Sequence, residues 1–120
     1  MPHGGRVTFN EFIQYIIDPR TPRPFNEHWR LFHEQCYPCD VQYDFIGHYE
    51  TMAEEIPYVL NKLDFHIRQF PRVRVYYNSS LRVIEMFEQL TENHIQRLVK
   101  AYWMDFVLFG YTANLSQFIS

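Results

Sequence analysis

Five consecutive residues, Asn26-Glu27-His28-Trp29-Arg30, set a carboxylate, an imidazole, an indole and a guanidinium side by side. Histidine titrates near neutrality and a neighbouring carboxylate can orient its ring, so such a cluster can take a proton from a hydroxyl. The same group can hold a sugar, because tryptophan offers a flat apolar face while the charged side chains meet hydroxyls. A histidine tied to the backbone of its own loop is the plainer reading, and these five residues alone do not decide between them.

His28, His33, Cys36 and Cys39 offer four ligands of the kind zinc takes. Their spacing is crowded, since structural zinc sites separate their two ligand pairs by about a dozen residues or more. A disulfide at Cys36 and Cys39, to each other or to further cysteines, is expected in a secretory setting. Redox catalysis at Cys36 is disfavoured, because neither a preceding strand nor a helix start is evident there to lower its pKa. Asn78-Ser79-Ser80 and Asn114-Leu115-Ser116 match the N-glycosylation acceptor pattern. Arg68, Arg72 and Arg74 with His66 form a local basic strip suited to sulfate or carboxylate groups, or to guarding an edge strand by charge. A glycine-rich phosphate loop, a G-x-S-x-G elbow and an H-E-x-x-H helix are all missing from the sequence.

The elements that must position these groups are written in the flanking residues. Thr8 and Glu11 have the reciprocal spacing of a capping box, and Phe9, Phe12, Ile13 and Ile16 then form one apolar stripe. Asp18-Pro19 stops that helix. Pro19, Pro22 and Pro24 make the next stretch a shaped loop. Val41 to Gly47 predicts a short buried strand ended by glycine. Thr51 and Glu54 predict a second capping box, opening a helix with Met52, Ile56, Val59, Leu60 and Leu63 inward. Pro57 conflicts with that helix unless it starts near Glu54 or kinks. Arg72 to Tyr76 alternates as an edge strand would. A helix follows Ser79-Ser80, and after a third cap at Thr91 a final helix carries Ile95, Leu98, Val99 and Tyr102.

Composition bounds the answer. At 120 residues the chain is one ordinary domain at most, and Ile, Leu, Val and Phe together are 36 of them, enough to exclude global disorder. A formal charge of −3 argues against a generic nucleic-acid binder. No window approaches a membrane span, and no apolar signal core follows Met1 to Arg6, so the sequence taken literally would be cytosolic. That expectation lapses if the chain is a piece of a longer protein.

Taken in order, Val7-Thr8-Phe9-Asn10-Glu11-Phe12, Asn26-Glu27-His28-Trp29-Arg30, Cys36-Tyr37-Pro38-Cys39, Tyr43-Asp44-Phe45-Ile46-Gly47-His48-Tyr49-Glu50-Thr51, Tyr58-Val59-Leu60, and Tyr102-Trp103-Met104-Asp105-Phe106 with Phe109-Gly110-Tyr111 carry a family resemblance. This order resembles the C-terminal half of the Golgi carbohydrate sulfotransferases, the family of the chondroitin and dermatan 4-O-sulfotransferases, from about residue 7 to 111. The resemblance implies the C-terminal part of an α/β, P-loop-like domain, mainly helical as it stands with one or two short strands.

It also implies transfer of a sulfuryl group from 3′-phosphoadenosine 5′-phosphosulfate to a glycan hydroxyl on the lumenal side of the Golgi membrane, without a metal. His28 is then the candidate base or an acceptor ligand, Trp29 a stacking platform, and Glu27 and Arg30 further acceptor-binding residues. The family's two donor-binding segments lie upstream of the matching stretch, and neither occurs here. Residues 1 to 120 are therefore expected to be a partial domain lacking its donor half and its membrane anchor, inactive alone and marginally stable. Pro57 departs from the small or polar residue usual in the family. Two alternatives stay open: a non-catalytic glycan-binding or interaction module, and a small zinc protein built on His28, His33, Cys36 and Cys39.

Overall fold

The computed structural model describes residues 5–65 and 79–113. Six α-helices follow in order: α1 (Phe9–Ile17), α2 (Phe32–Cys36), α3 (Met52–Lys62), α4 (Ser79–Glu88), α5 (Glu92–Ala101) and α6 (Trp103–Phe109), with a 3-10 turn at Tyr49–Thr51. The chain divides into two compact units, one of residues 1–37 with 78–120 and one of residues 38–77.

In the first unit, α1 starts where its capping box predicts. The Thr8 amide donates to Glu11 Oε2 at 2.9 Å and the Glu11 amide donates to Thr8 Oγ1 at 3.2 Å, so two orphan donors at the helix start are satisfied reciprocally. Its Phe/Ile stripe packs against α5. Ile13 joins Leu90 and Ile95 in one cluster, and Ile16 joins Phe25 and Leu31 in a second. Phe12 and Leu98 pack against both, which makes the two clusters a continuous apolar layer. Phe25 and Ile95 are its deepest members, each 1% exposed. Thr91 caps α5 as expected, accepting from the His94 amide at 3.1 Å.

Two helices of this unit have no signal of their own at their start. Leu31 precedes α2 and Tyr102 precedes α6, and neither side chain makes a capping bond. At the other end Gly110 closes α6 in the left-handed region at φ 72°, where a glycine carries no Cβ penalty. Tyr37 closes α2 at φ 50°, a conformation that a non-glycine residue adopts only at a cost.

In the second unit α3 runs from Met52 through Pro57 to Lys62 as one helix, so the proline neither delays nor divides it. The expected Thr51–Glu54 box does not form. Thr51 donates from Oγ1 to Glu55 Oε1 at 2.6 Å, and Glu55 Oε2 accepts from the His48 amide at 2.8 Å. One carboxylate in the first turn thus gathers the segment that enters the helix, a favourable place for negative charge. No residue of the expected inward stripe is buried: Met52, Ile56, Val59 and Leu60 are half-buried, and Leu63, which follows α3 as its cap, is 61% exposed.

The strand expected over Val41 to Gly47 is also absent. Among the described residues no strand is present, and Val41, Tyr43, Phe45 and Ile46 are all exposed. A strand-forming run marks a segment that can pair, but a ladder needs a neighbour, and the described residues supply none. The edge strand expected over Arg72 to Tyr76 and the basic strip His66, Arg68, Arg72 and Arg74 lie outside the described residues, as do Asn78 and Asn114.

Candidate functional site

Three prolines and an Asx turn shape the path between α1 and α2. The Asn26 side chain folds back so that Oδ1 accepts from the His28 amide at 3.0 Å, and the Asn26 carbonyl accepts from the Trp29 amide at 3.0 Å. The same Oδ1 lies 2.7 Å from His28 Nδ1. Because a backbone N–H already fixes that oxygen as an acceptor, Nδ1 must carry the proton in this bond. The neutral ring then has its lone pair on Nε2, the nitrogen able to take a proton. His28 and Glu27 are both exposed.

Trp29 and Arg30 turn the other way. The indole lies edge-to-face against Phe12 at 5.3 Å and Tyr15 at 6.5 Å, part of the Ile16–Phe25–Leu31 cluster. Its Nε1 is buried and meets no acceptor among the described residues. Arg30 donates from Nε to the Phe25 carbonyl at 2.8 Å. The loop therefore offers Glu27 and His28 outward while Trp29 and Arg30 fasten it to the core.

The fastening comes also from the far end of the sequence. Tyr102, at the junction of α5 and α6, donates from Oη to the Trp29 carbonyl at 2.5 Å. Burial pushes its phenol pKa up, opposed by Arg23 and reinforced by Asp105 and Glu34. Asp105, on the first turn of α6 and 8% exposed, accepts at Oδ2 from the Phe32 amide at 2.6 Å and at Oδ1 from the His33 amide at 3.0 Å. Those are orphan donors of the first turn of α2, so Asp105 is the cap that Leu31 cannot be. His33 Nδ1 meets the same Oδ1 at 2.8 Å. From α2, Gln35 Nε2 donates to the carbonyls of Glu27 at 3.0 Å and Arg30 at 3.3 Å. Sequence reasoning did not single out Asp105, Tyr102 or Gln35 for this role.

An apolar cleft of about 800 Å³ lies within this unit, with Phe12, Trp29, Phe32, Tyr102 and Asp105 in its wall. Of the four candidates in the loop only Trp29 reaches it. Cys36 ends α2 and Cys39 follows, both exposed and not bridged to each other; a bridge to further cysteines, the other form expected, would have its partners outside this chain. Tyr37 at φ 50° and then Pro38 occupy the two places between them. No three His, Cys, Asp or Glu side chains converge to hold a metal among the described residues, so the zinc alternative finds no site. No described helix is long and apolar enough to cross a membrane.

Residues 1–112 match the model of a family described as the sulfotransferase family. The chain belongs to that family. This sulfotransferase-family chain is 36% identical over 115 residues to carbohydrate sulfotransferase 11 of Rattus norvegicus, covering 91% of the chain and 32% of the relative. Against carbohydrate sulfotransferase 12 of Mus musculus it is 41% identical over 112 residues, covering 90% and 26%. Against carbohydrate sulfotransferase 9 of Homo sapiens it is 32% identical over 116 residues, covering 92% and 26%. The chain thus spans about a third or less of the length of the curated relatives it matches. No solved structure matches it.

Proposed function

We propose that this chain forms the acceptor-side part of a carbohydrate sulfotransferase, which moves a sulfuryl group from 3′-phosphoadenosine 5′-phosphosulfate to a hydroxyl of a glycan such as a glycosaminoglycan. The observation that carries it is the outward-facing Glu27 and His28 on a loop whose ends are fastened to the core, in a chain whose match to the family runs over residues 1–112. In this reading His28 Nε2 takes the proton of the acceptor hydroxyl. The sugar oxygen then bonds to sulfur while the bond from sulfur to the donor phosphate oxygen breaks, and the donor leaves as 3′-phosphoadenosine 5′-phosphate. Glu27 accepts from a neighbouring hydroxyl, the free N–H groups of Arg30 meet acceptor oxygens, and Trp29 shapes the apolar wall beside them.

Among the described residues Arg20 is paired with Asp18 at 3.0 Å and Arg97 donates to the Ile17 carbonyl at 3.0 Å. No donor contact is assigned to the described residues, because the family's two donor-binding segments do not occur in the sequence. The same reading places residues 1–120 as part of one α/β, P-loop-like domain, on the lumenal side of the Golgi membrane with an anchor elsewhere in the protein, and with glycans on Asn78 and Asn114.

The test is sulfate transfer. The native polypeptide that carries this chain, incubated with radiolabelled donor and desulfated chondroitin or dermatan, is expected to label the glycan. Label on no glycan, with salt-sensitive binding of the glycan itself retained, would favour the non-catalytic glycan-binding module instead.

A further inference from the structure

We infer that Tyr102 and Asp105 are positioning residues for the acceptor: a two-point clamp from the α5–α6 junction that fixes the Asn26–Arg30 loop from behind. The inference rests on the proposed sulfate transfer at that loop and assigns a role to two residues that touch no reacting atom.

The two arms reach opposite ends of the same structure. Tyr102 takes the loop directly, its hydroxyl on the Trp29 carbonyl at 2.5 Å. Asp105 takes α2, through both amides of its first turn, and α2 returns to the loop through Gln35, whose side-chain amide meets the Glu27 and Arg30 carbonyls. The carbonyls of Glu27, Trp29 and Arg30 are thus all engaged, and they bracket His28 on both sides. The two anchoring residues are only three apart, and the Asp105 amide donates to the Tyr102 carbonyl at 3.1 Å, so they move as one piece. Each arm is at least partly withdrawn from water: Asp105 is buried and Tyr102 is half-buried, stacked on Phe25 at 6.2 Å. A bond made in such a place is not readily exchanged for one to water.

The chemistry explains why such a clamp matters. His28 reaches its outward position by a bond to Asn26 in its own loop, and nothing in that turn fixes where the turn stands. In-line attack demands placement to a fraction of an ångström, and loss of it lowers the rate with the reacting groups intact. Trp29 and Arg30 pin the loop to the core on one flank, and Tyr102 and Asp105 hold its backbone.

The experiment uses the native polypeptide that carries this chain, with Tyr102→Phe and Asp105→Asn. Tyr102→Phe keeps the ring on Phe25 and removes only the hydroxyl bond. We expect kcat/KM for the glycan acceptor to fall about tenfold in each variant, while affinity for 3′-phosphoadenosine 5′-phosphate changes less than about twofold and the pH profile keeps its shape, since His28 itself is unaltered. Acceptor kinetics unchanged in a folded Tyr102→Phe protein would overturn the inference. So would a parallel loss of acceptor rate and nucleotide affinity, which is what general loosening of the fold produces. An unmodified protein that transfers sulfate to no glycan fails differently: it removes the reading on which the clamp rests, and the clamp's acceptor role with it.

Discussion

The hydroxyl of Tyr102 lies 2.5 Å from the carbonyl oxygen of Trp29, a bond between residues 73 positions apart that joins the α5–α6 junction to the exposed loop. Burial raises the Tyr102 pKa, so the folded chain holds the phenol proton more tightly than the unfolded chain does. The stability linked to that proton is complete below the ordinary tyrosine range and is lost as pH rises through the raised value. Ultraviolet difference titration of the Tyr102→Phe variant beside the unmodified protein should show the loss of a phenol that ionises above the ordinary tyrosine range. The loop should accordingly stay fastened throughout the neutral range.

Asp105 makes a second long-range bond set. Replacing it with alanine leaves the Phe32 and His33 amides without their acceptor and should cost about 2 kcal/mol, read from urea unfolding followed by circular dichroism. Asn at the same position keeps an accepting oxygen and should cost less. Equal stability of wild type and Asp105→Ala would mean that water caps α2 as well as the carboxylate does.

These two residues explain which parts of the chain could be read in advance. Helices α1 and α5 were legible because their signals are local: Thr8 with Glu11, Thr91, and the stripes behind them. Helices α2 and α6 were not, since α2 borrows its cap from Asp105 over 70 residues away and α6 begins at Tyr102 without one. An Asx turn within the loop leaves His28 exposed, and the Asn26–Arg30 cluster was legible as a run of residue types. Its support was not, because Tyr102 reads there simply as one more member of an apolar helix stripe. Val41 to Gly47 failed for the converse reason: its apolar run ended by glycine is real, but strand formation depends on a partner that the pattern cannot supply.

The core should behave as a core. Phe25, 1% exposed, packs with Ile16 and Leu31, stacks with Tyr102 and supplies the carbonyl that Arg30 holds. Phe25→Ala should lose about 3–5 kcal/mol, enough to unfold a marginal domain, and calorimetry should show the transition lowered or gone. A loss under about 1 kcal/mol would place the packing centre elsewhere.

Glu55 organises the second unit, and acid should undo it. Hydrogen bonds from Thr51 and then from the His48 amide hold its carboxyl below the usual glutamate range. The stability they contribute is therefore present above the ordinary glutamate pKa and is lost as pH falls through the lowered value. A nuclear magnetic resonance titration should find the Glu55 carboxyl still ionised below the ordinary glutamate range, with His48 amide protection fading as it protonates. Gly47→Ala should reproduce the loss at neutral pH, because a Cβ at Gly47 would stand 2.8 Å from Glu55 Oε2. If that variant kept full His48 protection, the close approach of carboxylate to backbone would not be needed.

The central claim is that the Asn26–Arg30 loop presents His28 to the hydroxyl that receives sulfate. Its most direct measurement is the turnover of His28→Ala in the native polypeptide, at saturating donor and acceptor, beside the unmodified protein. A positioned general base is worth about a hundredfold or more, so kcat should fall by at least that factor while binding of 3′-phosphoadenosine 5′-phosphate is retained. Turnover within about twofold of the unmodified protein, on the same glycan, would contradict the account.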